Sequence, residues 1–99
     1  MSVENVNYGQ IFAEHFGKLV VVHMVGVGVN SAISPFKQMT MGTIPPECRP
    51  RETVSAAVYS SPSTAVIQVN PNGELNLLAR DNKINPGWNV DGTLTYLAR

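Results

Sequence analysis

Charge is scarce in this sequence. Only 14% of its 99 residues are Asp, Glu, Lys or Arg, against about 25% in an ordinary globular chain. Seven basic residues cancel seven acidic ones, for a formal net charge of +0. A neutral surface has no field with which to gather phosphate backbones, which argues against a general nucleic-acid binder. Such a surface must be covered otherwise: partly by Ser, Thr, Asn and Gln, and partly, by expectation, by another copy of the chain, because subunit interfaces are depleted of charge. Cysteine is nearly absent. Cys48 stands alone, so there is no internal disulfide and no multi-cysteine metal site; the thiol reads as a small buried apolar group. No apolar run approaches the roughly 20 residues of a membrane helix. The longest, Leu19 to Val29, is broken by His23, Gly26 and Gly28, and no basic signal region precedes it; no membrane insertion is expected. Helix signals are weak too. Ile11, Phe12, His15 and Phe16 have helical spacing, but Gly9 and Gly17 bracket them.

What is present is strand, repeatedly. In Lys18 to Val29 the residues Leu19, Val21, His23, Val25 and Val27 share one face, and Val20, Val22, Met24, Gly26 and Gly28 the other. Both faces are largely apolar, although one face of a small antiparallel sheet normally meets water. A second sheet or a neighbouring subunit is therefore expected over the second face. Gln38 to Ile44 reads as a strand stopped by Pro45 and Pro46, which offer no N–H to a ladder. Thr53 to Tyr59, Thr64 to Asn70, Leu75 to Ala79 and Thr93 to Ala98 follow, with turns at Ser60-Ser61-Pro62-Ser63, Asn70-Pro71-Asn72-Gly73, Asp81-Asn82-Lys83, Asn85-Pro86-Gly87 and Asp91-Gly92. The expectation is an all-β chain, a small antiparallel sandwich or barrel of about seven strands. It is read as one domain over 1–99, with 1–17 a lead-in segment and 18–99 the main β-sandwich or barrel.

Catalytic patterns do not emerge. Zinc requires three or four converging ligands, and His15, His23 and the adjoining Glu14 supply no such set; His23, on a Leu/Val face, reads as a packed, hydrogen-bonded histidine. No serine sits in a Gly-x-Ser-x-Gly elbow. Five Glu and two Asp contain no pair that the sequence selects for glycoside hydrolysis. Gly26-Val27-Gly28 lacks the Lys and helix of a phosphate loop. Neither a cofactor nor a metal is expected. Recognition has more support. Trp88, the only tryptophan, lies in a loop beside Asn89 and near Asp91. An aromatic ring beside amides and an acid suits a sugar, whose C–H face stacks while its hydroxyls bond the polar groups; a plug at one end of the core is the other reading of Trp88. Tyr59 and Tyr96 are open in the same way. Gln68 and Asn70, facing outward on one strand, read either as ligand contacts or as a solvated strand face.

The order of motifs completes the picture: a glycine-punctuated valine strand, then Ile44-Pro45-Pro46-Glu47-Cys48-Arg49-Pro50, then Ala65-Val66-Ile67-Gln68-Val69-Asn70-Pro71-Asn72-Gly73-Glu74-Leu75, and finally Gly92-Thr93-Leu94-Thr95-Tyr96-Leu97. Over Lys18 to Leu97 this resembles the C-terminal head domains of receptor-binding proteins from the tail tips and baseplates of siphophages that infect lactococci and related bacteria. The resemblance implies a compact β head, a homotrimer, adhesion to host cell-wall saccharide near subunit boundaries, and no enzymatic activity. It implies a place in the virion, exposed outside the host cell, among other tail or baseplate proteins. Related heads use Trp, His and Asp on or beside their strands; here Thr64 to Val69 carries none of the three, with Gln68 the one polar substitute. The candidate ligand residues are thus Trp88, Asn89, Asp91, Gln68 and Tyr59. Two other classes fit the same residues: a structural trimerisation knob of a tail fibre that binds no ligand, and, more weakly, a small hydrolase on a β scaffold.

Overall fold

Alternation along each strand sends every second side chain inward. In the computed structural model, which describes residues 1–60 and 63–99, the strands are β1 (Ser2–Val3), β2 (Val6–Phe16), β3 (Leu19–Val29), β4 (Gln38–Thr43), β5 (Val54–Ser60), β6 (Ser63–Val69), β7 (Glu74–Ala79) and β8 (Val90–Leu97). Val20, Val22 and Met24 of β3, Ile67 and Val69 of β6, Leu75 and Leu77 of β7, and Leu94 of β8 meet in one core with Met41, Ile44 and Ile84. The all-β architecture is as the alternation implied, with eight strands rather than about seven. Every pairing is antiparallel, in the order β1-β4-β7-β6-β5-β8-β3-β2.

The two ends of that order are consecutive in the chain, and this nearly closes the sheet into a barrel. Ser2 and Val3 pair with β4, and residues from Val6 onward pair with β3. The change of partner occurs at Asn5, where φ is 61°, a value that asparagine tolerates better than most residues. Its side-chain amide donates to the Thr40 carbonyl (2.7 Å) while its own carbonyl accepts from the Asn30 N–H (3.1 Å). The edge problem of an open sheet is thereby reduced to the distal part of β2 and the start of β4.

Several sequence expectations need correction. The stretch 1–17, read as a lead-in, forms β1 and β2. Its helical spacing gives way because pairing with β3 buries Ile11 and half-buries Ala13, leaving Phe12 and Phe16 outside. Asp91-Gly92, read as a turn, lies inside β8, where Asp91 pairs with Tyr59 and Gly92 with Met24. The two faces of β3 do not persist along its length either. The register slips between Met24 and Val27, with Gly26 at φ 56°. This bulge turns Val27 and Val29 inward, whereas Leu19 and Val25 stay exposed.

The proline-rich connection behaves as read: β4 ends before Pro45, and Pro46–Cys48 forms one 3-10 turn. Cys48 is buried, its carbonyl accepting the Tyr96 hydroxyl (2.7 Å). The Asn70–Gly73 turn joins β6 to β7, with Gly73 at φ 93°. Of the expected Ser60–Ser63 turn, Ser61 and Pro62 lie outside the described residues.

Candidate functional site

The outward faces are where the chain can meet a partner, and the register assembles them. On β2, Gln10, Phe12, Glu14 and Phe16 point out. Their Cα partners on β3 are Val25, His23, Val21 and Leu19. These in turn face β8, with His23 opposite Thr93, Val21 opposite Thr95 and Leu19 opposite Leu97. Asp91 continues the β8 row and pairs with Tyr59 of β5. One outward surface therefore runs across β5, β8, β3 and β2, and its large apolar members are unusually bare: Phe16 is 66% exposed, Leu97 69% and Tyr59 55%.

Near the middle of β2 and β3 this surface carries a defined constellation. The rings of Phe12 and His23 stack at 4.6 Å between centroids and 17° between planes. His23 Nε2 lies 2.8 Å from Glu14 Oε1. The sequence reading of His23 as hydrogen-bonded is met, but its place is the outer face, beside a carboxylate that is half exposed. Nothing in the sequence flagged Phe12 or Glu14 as a site; the signal was the hairpin, since Gly17 at φ 63° allows the tight turn that sets Phe12 opposite His23.

The residues expected from sequence divide into groups. Tyr59 and Asp91 are brought side by side. Asp91 already has structural work: its Oδ1 accepts the Gly26 N–H at 2.6 Å and so pins the β3 bulge. Trp88 and Asn89 lie in the loop entering β8, Trp88 half-buried with its backbone N–H donating to the Asn85 carbonyl (3.0 Å), Asn89 exposed. Gln68 stands apart. It pairs with Ser55 and Asn76, four residues along β6 from the Thr64 that faces Tyr59, a run of about 13 Å. Tyr96 is an internal support: burial, with a smaller effect from Cys48, pushes its phenol up from 10.0 to about 12. Burial, reinforced by Glu47, likewise raises the Cys48 thiol above its ordinary value, which opposes a nucleophilic role.

Among the described residues no three His, Cys, Asp or Glu side chains converge as metal ligands, and no enclosed pocket forms. The surface can offer what a flat sheet offers: ring faces, one imidazole–carboxylate pair and hydroxyls.

No protein-family model and no curated protein matches the chain. Among solved structures, the chain is similar to the head domain of phage bIL170, a crystal structure described in the context of a common fold for the receptor-binding domains of lactococcal phages. The two share 19% identity over 99% of this chain and 93% of that one, with a TM-score of 0.75. The resemblance seen in the motif order thus holds at the level of the fold: this chain is built as that phage head domain is built.

Proposed function

We propose that the chain is a receptor-binding head of a phage adhesion device, which attaches the virion to saccharide on the host cell surface and performs no turnover. The observation that carries this reading is the shared fold over nearly the whole of both chains. The neutral composition supports an uncharged, hydroxyl-rich ligand, and the outward β5–β8–β3–β2 surface supplies rings and polar groups for it. Tyr59, Asp91 and the Trp88–Asn89 loop lie at one side of this surface or its border, and form part of the proposed contact region.

The same reading includes a homotrimer held among other tail or baseplate proteins. Phe16, Leu19 and Leu97 lie in one row across β2, β3 and β8 and are exposed together. A second copy over this row would cover Leu19 at the hairpin end of β3, with its neighbours Phe16 and Leu97, and leave the middle of the β2–β3 outer face open. The structural knob remains the second reading, favoured by the engagement of Asp91 with Gly26 and the lack of a concave site among the described residues.

The test is retention of purified protein on isolated host cell walls, before and after their saccharide is stripped. Retention that disappears with the saccharide supports the adhesin. Equal retention, or none on walls from every plausible host, overturns it. Trp88→Ala separates the two readings: an adhesin loses affinity while remaining folded, whereas a knob loses stability alone.

A further inference from the structure

We infer that Phe12, Glu14 and His23, flanked by Gln10, Thr93 and Thr95, form a saccharide-contact subsite on the outer face of the β2–β3 hairpin. The inference rests on the adhesin reading and names where on the surface the sugar sits.

The cluster contributes little to the core. All three side chains stand on the outward face, opposite the side that carries Ile11, Val22 and Met24 into the core. Phe12 is 37% exposed, so its ring gains only part of the transfer energy that a buried ring would. A sheet that needed only solubility at this position would carry a polar residue.

The Phe12 ring is also preorganised. An exposed phenylalanine samples several rotamers, and a ligand must bear the cost of ordering it. Here the ring is held before any ligand arrives, because it stacks on the imidazole while the imidazole is held by the Glu14 carboxylate. Only one face of the Phe12 ring is used in that stack. Beyond Phe12 the strand order ends at β2, so no further strand covers the other face.

Polar groups of mixed kind surround the ring. His23 Nδ1, Glu14 Oε2, the Gln10 amide and the hydroxyls of Thr93 and Thr95 have no hydrogen-bond partner among the described residues, while His23 Nε2 and Glu14 Oε1 bond each other. The set combines donors and acceptors around an apolar plane. That is the complement of a pyranose, which presents one C–H face and a rim of hydroxyls. A purely apolar partner would leave these groups unsatisfied, and with one carboxylate and no Lys or Arg in the set, a polyanion would be repelled.

The test is a titration of the uniformly 15N-labelled full chain with glucose, galactose, rhamnose and N-acetylglucosamine in turn, following amide and imidazole signals. The expected result is a saturable shift for at least one sugar that includes Gln10–Glu14, Val21–Val25, Thr93 and Thr95, whether or not it extends to the Trp88 loop. Phe12→Ala weakens that binding about tenfold with the remaining spectrum unchanged. Glu14→Gln, which keeps the ring but removes the charge that orients His23, weakens it by a smaller factor. Shifts that gather instead at Tyr59, Asp91 and Trp88 overturn the subsite and leave the adhesin reading standing. No shift with any of the four sugars also overturns the subsite, and cell-wall retention then decides separately whether the adhesin reading falls with it.

Discussion

Two outward faces of the same barrel are built on the same alternation and end differently. On β4, β7 and β6, Thr40, Asn76 and Gln68 form one polar row. Its Thr40–Asn76 part turns inward on itself: Thr40 Oγ1 donates to Asn76 Oδ1 (3.0 Å), and Asn76 Nδ2 donates to Glu74 Oε1 (2.8 Å), so that Asn76 is buried without an orphaned group, while Gln68 takes no part in these bonds. On β2, β3 and β8 the polar groups surround exposed rings and keep most of their capacity free. Polar residues that satisfy one another stabilise a sheet; polar residues arranged around a bare aromatic are left for something outside it. This contrast, more than any single side chain, separates scaffold from candidate contact surface.

The contrast can be broken in order of expected size. Gly9→Ala should be the most damaging change. Gly9 has φ 87°, and a Cβ there would overlap the Gly26 carbonyl across the facing strand. Backbone strain and overpacking together predict a loss of about 3 kcal/mol or more in urea unfolding. Asn76→Ala strands Thr40 and Glu74 beneath the polar row and should cost about 1–3 kcal/mol, with no effect on cell-wall retention. Phe12→Ala should reverse that pattern: it gives up a surface stack of about 0.5–1.5 kcal/mol but most of the binding.

Tyr96→Phe sharpens the account of the interior. The folded phenol titrates higher than the unfolded one, near 12 rather than 10.0, so the folded state holds this proton more tightly. Its contribution is complete below about pH 10 and is lost as pH rises from there through about 12. The variant should lose about 1 kcal/mol at neutral pH, with its bond to the Cys48 carbonyl, and show less of the alkaline decline, as read by unfolding curves at successive pH values. The smallest effect is expected from Asp91→Ala, which frees the Gly26 N–H: faster amide exchange at Gly26 with little change in global stability.

The core was legible because period-two alternation is a direct consequence of strand geometry. Ala65, Ile67 and Val69 face inward as their spacing required, and Pro45 ends β4 where the missing N–H required it. What escaped was set by pairing rather than by local pattern. The bulge at Gly26 reverses the faces of β3, and no alternation rule applied to one strand can foresee a slip in its neighbour's register. Asp91-Gly92 has turn chemistry, yet pairing with β3 and β5 holds it extended. The Phe12–His23–Glu14 cluster exists only once the hairpin register is known. Phe36, 71% exposed with φ 61°, had no sequence signal at all, since its backbone is set by hydrogen bonds to the carbonyls of Ala79 and Arg80.

The most direct measurement sets the two faces against each other on one substrate: retention of Phe12→Ala and Gln68→Ala proteins on the same saccharide-bearing cell walls, with both confirmed folded by their spectra. The account predicts a loss of about tenfold or more for Phe12→Ala and near wild-type retention for Gln68→Ala. Retained binding by Phe12→Ala together with loss by Gln68→Ala would contradict it and move the contact surface to the β4–β7–β6 face.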